Sequence, residues 1–192
     1  MFVSDVFRWL GPVALLVSLA LAYYLLVMVP TPNNEPISYL ATHDDKTRRT
    51  SGWYLGLTGW LLFAFGVGWL VPHYALGLYG QVSWALILLC LLGVATVPVK
   101  RSRWATNLHR LMGYGLSVLM MLVAFELASS HAITLGLAWV CLGAGIAMGA
   151  IWMVFVLLLT TRLRALNGYF LHFELAYVGI AELMLLAASV WH

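Results

Sequence analysis

Six long apolar stretches alternate with shorter polar connections along the chain, at about 9–30, 53–72, 81–99, 111–128, 135–159 and 173–191. A helix of roughly 20 apolar residues crosses a ~30 Å hydrocarbon layer, so the pattern predicts six membrane-spanning helices in a single all-α transmembrane domain covering 1–192. The longest connection, 31–52, reads TPNNEPISYLATHDDKTRRTSG, and Pro30, Pro32 and Pro36 with Asn33 and Asn34 favour a turn there over a continued helix. The first stretch reads as a retained helix and not a cleaved leader. Arg8 alone among basic residues precedes it, its apolar core runs through Met28, and prolines follow in place of a small-residue cleavage site.

Composition agrees. Of 192 residues, 63% are hydrophobic and 9% charged, against about 25% charged in a soluble domain. Lipid is therefore the solvent for most of the surface, which excludes collagen, disorder, a disulfide scaffold and a sizeable catalytic domain outside the membrane. The net charge of +3 does not call for nucleic acid once the basic residues are sorted by position. Lys46, Arg48 and Arg49 fall in the first connection, Lys100, Arg101, Arg103 and Arg110 in the third, and Arg162 and Arg164 in the fifth. With six helices these three connections share a side, and Lys and Arg mark the cytoplasmic side. The expectation is a multi-pass protein of a prokaryotic cytoplasmic (inner) membrane with N-terminus out and C-terminus out. Cys90 and Cys141 lie in apolar runs, where a thiol packs as a small hydrophobe.

Glycine marks the packing faces. Gly52, Gly59 and Gly66 recur every seven residues along the second helix, with Gly56 between them, and Gly145 and Gly149 form a G-x-x-x-G on the fifth, which also carries Gly136 and Gly143. Such stripes let helices approach closely in lipid, where apolar burial no longer drives association. Tight packing within the bundle is the main expectation and a homodimer seam the alternative. Trp9, Trp53, Tyr54, Trp69, Tyr74, Tyr79, Trp104, Tyr169 and Trp191 lie near predicted helix ends, as interfacial anchors do.

An ionisable group inside the membrane is a functional candidate by default. Glu182 is the leading one: it lies about nine residues into the sixth helix, ~13 Å along its axis, near mid-membrane. It is a candidate for a proton or ligand, or else for a structural hydrogen bond from Ser117, Thr58 or a Tyr. Glu126 falls near the outer end of the fourth helix, and Glu174 opens the sixth, where it suits the positive helix N-terminus. His109 and His172 fall at the same end of helices four and six and are candidates for one b-type haem. Two haems using His73 and His131 as well do not fit, since His109 and His131 are ~33 Å apart along a helix. His43, Asp44 and Asp45 with His109, His172 and Glu174 carry metal-ligand chemistry, but no two of the histidines share i, i+4 spacing, so no metal and no catalytic residue is expected.

The segment PISYLATHDDKTRRTSGWYLGLTGWLLFAFGVGW and the later NLHRLMGYGLSVLMMLVAFELA resemble the six-helix membrane family of damage-regulated autophagy modulators and their uncharacterised bacterial relatives. The matching residues are Pro36, Ile37 and Ser38 at the start of the polar first loop and His109 opening the fourth helix. The resemblance implies a six-helix fold and no enzymatic residues. YFLHFELAYVGIAELMLL is also similar to the last helix of haem-copper oxidase subunit III, through His172, Phe173 and Glu174, which implies a respiratory accessory role. The expected function is thus an accessory or structural subunit of a larger membrane complex, without catalysis of its own. Its partners would be the lipid bilayer and other membrane subunits. The alternatives are a small transporter or lipid- or quinone-binding protein using Glu182, and a haem b electron-transfer protein using His109 and His172.

Overall fold

The structure, a computed structural model, describes residues 2–29, 37–41, 43–97, 99, 102–161 and 170–191. Six helices among them are long and apolar enough to cross a membrane: Asp5–Val27, Asp45–His73, Gly77–Thr96, Arg103–Ala128, Leu135–Leu157 and Phe170–Val190. In chain order the α-helical elements are α1 (Phe2–Tyr23), α2 (Ile37–Leu40), α3 (Asp45–Phe65), α4 (Val71–His73), α5 (Gly77–Thr96), α6 (Arg103–Ala128), α7 (Leu135–Thr161) and α8 (Phe170–Val190). A π-helical turn, Tyr24–Met28, extends α1, and another, Gly66–Leu70, joins α3 to α4.

Two helices, α3 and α6, begin well before the apolar pattern suggests, because polar residues start them. Asp44 caps α3 by accepting a hydrogen bond from Thr47 N–H at 2.7 Å. Ser102 does the same for α6 through Ala105 N–H at 3.1 Å. Such caps satisfy the orphan donors of a first turn. Lys46, Arg48, Arg49, Arg103, His109 and Arg110 therefore lie on helices and not in connections. The apolar onset misses the polar first turns that these caps start.

Each long helix packs against its neighbours in sequence, and α8 closes on α1, so the six form a ring. Contacts between neighbouring helices run in opposite directions along the two helices, as in antiparallel pairs. Ser83 meets Glu126, while Met112 lies at Gly93 and Cys90 at Gly115. One end of the ring, the basic end, thus carries the starts of α3, α6 and α8, and the other, the termini end, carries the start of α1 and the end of α8.

The glycine stripes lie inside the chain. A Cβ on Gly52 would come within 3.1 Å of Ala95 O, one on Gly59 within 3.3 Å of Leu91 and one on Gly66 within 2.1 Å of Trp84. These three face α5. Gly145 and Gly149 face Phe125 and Met121 of α6, whereas Gly56 has nothing within 4 Å. The π-turn begins at Gly66, whose carbonyl accepts from Val71 N–H five residues on, and Trp84 fills the space beside it.

The main core lies toward the termini end and includes Phe65, Trp69, Leu70, Trp84, Ile87, Val123, Leu127, Cys141, Met148, Met184 and Ala188. Trp69 and Tyr74 are buried in it, so they are core residues and not the surface anchors expected. Trp69 stacks on Phe65 and His73, at 5.5 and 4.5 Å between ring centroids. Trp9, Trp53, Tyr79, Trp104 and Trp191 are exposed, as anchors should be. Tyr169 lies outside the described residues. A smaller cluster at the basic end joins Leu21, Leu25 and Val29 to Leu40, Ala41 and Leu171.

Candidate functional site

Glu182 is the thirteenth of the 21 residues of α8, close to the middle of its span. The side chain is half-buried and lies beside Ser18 of α1. This corrects the expected partners. Ser117 instead donates to Gly113 O, and Thr58 Oγ1 has no hydrogen-bond partner. Ser18 gives no signal in the sequence, since a lone Ser in an apolar helix says nothing until α1 and α8 are known to be adjacent.

The α1–α8 seam is closed at both ends. Toward the termini, Arg8 Nε donates to Ser189 O at 2.5 Å and Tyr74 OH donates to Ala188 O at 2.7 Å. These bonds satisfy carbonyls in the last turn of α8, which the helix itself leaves unpaired. Ser130 in turn donates to Tyr74 O. Tyr74, in the corner between α4 and α5, is pushed up to about 12 by desolvation and then by Cys141. The Arg8 guanidinium lies over the rings of Trp9 and Trp69, 5.5 and 6.0 Å from their centroids. The one basic residue outside the predicted cytoplasmic group thus has a structural duty.

At the basic end, Glu174 Oε2 accepts from Ile37 N–H at 2.7 Å. The carboxylate expected to serve the N-terminus of its own helix instead holds the first amide of α2. Glu126 accepts from Ser83 Oγ at 3.0 Å, and its second oxygen is buried without a partner. Among the described residues no Lys or Arg forms an ion pair with Glu126, Glu174 or Glu182; Arg48 pairs with Asp45 at 3.0 Å on the surface of α3.

His109 is buried on α6, and its Nδ1 donates to Val97 O at 2.8 Å, tying the α5–α6 connection to the bundle. His172 is exposed on α8, on the outward face that also carries Leu183 and Val190. The two imidazoles therefore start from different environments, one inward and one outward. Among the described residues no group of three or more His, Cys, Asp and Glu could hold a metal ion. Cys90 and Cys141 are both buried free thiols.

Six candidate membrane-spanning helices in one closed ring make this a helical bundle of the multi-pass membrane class. No family model, curated protein or solved structure matches the chain.

Proposed function

We propose that the chain is a non-catalytic membrane protein that binds a small ligand through Glu182 at the α1–α8 seam. One observation carries the reading: a half-buried carboxyl stands at mid-span beside Ser18 and, among the described residues, has no ion-pair partner. Polar groups at that depth cost several kcal/mol unless they are matched, and a bound ligand can supply the match. The proposal includes a prokaryotic cytoplasmic membrane with both termini outside, supported by Lys46, Arg48, Arg49, Arg103 and Arg110 sharing one end of the ring. A reporter that is active only in the cytoplasm is then silent when fused after the last residue; an active fusion reverses the topology.

A second reading, the accessory subunit of a larger complex, draws on α7. Gly143 and Ala150 are exposed seven residues apart, on one face, and nothing lies within 4 Å of a Cβ at Gly143. Native mass spectrometry of the protein taken from its own membrane in mild detergent separates the two. A small-molecule adduct retained by the wild type and lost in Glu182→Gln supports ligand binding. Stoichiometric protein partners with no such adduct support the subunit reading. The haem alternative has its own readout: a Soret band in the same preparation that disappears in His109→Ala or His172→Ala.

A further inference from the structure

Access to Glu182 depends on where the α1–α8 seam is open. The termini end is shut by Arg8 on Ser189 and Tyr74 on Ala188. The basic end is shut by α2, where Leu40 and Ala41 are buried against Leu21, Leu25 and Leu171 while Glu174 holds the Ile37 amide. Between these closures the packing loosens. Leu171, Val178 and Leu185 recur every seven residues and so share one line of α8. Leu171 and Leu185 are buried, but Val178 between them is 40% exposed. On α1, Leu19 lies eleven residues after Arg8 and so shares its line, which Arg8 shows to face α8. Leu19 is 51% exposed. Glu182 follows Val178 by one turn, and Ser18 adjoins Leu19. The seam is thus closed toward water at both ends and open sideways, at the depth of the hydrocarbon.

The depth and the charge select the occupant. Phospholipid headgroups lie at the interface, roughly 15 Å from the midplane of a ~30 Å core, and drawing a charged or zwitterionic head to Glu182 is strongly unfavourable. The nearest cation on the seam, Arg8, lies at its far end on Ser189, and among the described residues none pairs with Glu182 to balance an anion. A carboxyl and a hydroxyl side by side suit a neutral head bearing carbonyl or hydroxyl oxygens on an apolar tail. We propose that the seam at Glu182 and Ser18 is a lateral site for a neutral quinone-class molecule that enters from the bilayer midplane. This rests on the reading of Glu182 as a ligand-binding group and adds the ligand class and its route.

The test uses the full chain reconstituted in phosphatidylcholine vesicles. Dicyclohexylcarbodiimide, which partitions into hydrocarbon, is expected to label Glu182, and decylubiquinone to protect it; a water-soluble carbodiimide should leave it unlabelled. A photoreactive azidoquinone is expected to mark peptides containing Ser18 or Val178–Glu182, with decylubiquinone competing. Val178→Phe fills the opening without touching the carboxyl and should lower that adduct at least fivefold, whereas Leu183→Phe on the outward face should not. Labelling of Glu182 by the water-soluble reagent, an azidoquinone adduct indifferent to decylubiquinone, or stronger marking by a photoreactive diacylglycerol would each overturn the proposal. The carbodiimide and competition arms need only the wild type, so they decide even if a variant fails to fold. If the native adduct is lost in Glu182→Gln while the azidoquinone finds no site, the quinone inference falls and the ligand-binding reading stands. If that adduct survives Glu182→Gln, the reading itself falls.

Discussion

A methyl group on Gly66 would lie 2.1 Å from Trp84 Cδ2, whereas one on Gly56 would meet nothing within 4 Å. The two glycines look alike in the sequence and differ only in what faces them. Gly66→Ala is expected to lower stability by about 1–3 kcal/mol through overpacking. Gly56→Ala should be neutral or gain up to about 1 kcal/mol from helix propensity. Thermal unfolding in detergent measures both. Asp44 differs again, because the early start of α3 turns a residue of the polar connection into a cap. The Thr47 N–H bond holds its carboxyl below the usual value of 3.8. The unfolded side chain takes up a proton more readily, so the cap stabilises the fold above about pH 4 and weakens as pH falls through the lower folded-state value. Asp44→Asn, which can still cap, should lose less stability on acidification than the wild type.

Among the elements, α8 depends most on partners distant in sequence. Its last carbonyls are satisfied by Arg8 and Tyr74, residues 181 and 114 positions away from those they bind. Arg8→Met is expected to cost about 1.5–3 kcal/mol, the range for a hydrogen bond to a charged group. Arg8→Lys should recover little of it, since the bond uses Nε. Tyr74→Phe should cost about 1 kcal/mol and change the alkaline limit. The folded phenol ionises near 12 against 10 when free, so its contribution is full below pH 10 and fades as pH rises through about 12. The wild type should therefore lose stability over that interval more steeply than Tyr74→Phe, as read by unfolding midpoints at each pH. Nothing in the composition of α8 foretells this dependence, because main-chain carbonyls look the same in every residue.

For the whole molecule, the closed ring decides which groups become a site. Gly145 packs on Phe125, while Gly143, two residues earlier, is open. Gly145→Leu is expected to lower the unfolding midpoint without changing the oligomeric state in detergent. Gly143→Leu should leave stability intact and alter mass only if α7 is a docking face; size-exclusion chromatography with light scattering reads both. The six spans were legible from apolar runs because lipid imposes the same requirement on every residue of a span. Glu182 was legible for the converse reason, a charge-bearing group where lipid disfavours it. Ser18, Val178 and the capping duty of Arg8 were not, since each acquires its role only when α8 returns to lie beside α1.

Hydrophobic length and the placement of ionisable residues, both local properties set against a membrane of fixed thickness, determined the six helices and the depth of Glu182. The ring closure, the approach of Ser18 to Glu182, the Glu174 hold on α2 and the exposure of Val178 were decided by tertiary structure alone. Those features join residues more than a hundred positions apart. Which helix faces which depends on side-chain packing across the bundle, and hydropathy along one chain segment carries no record of it.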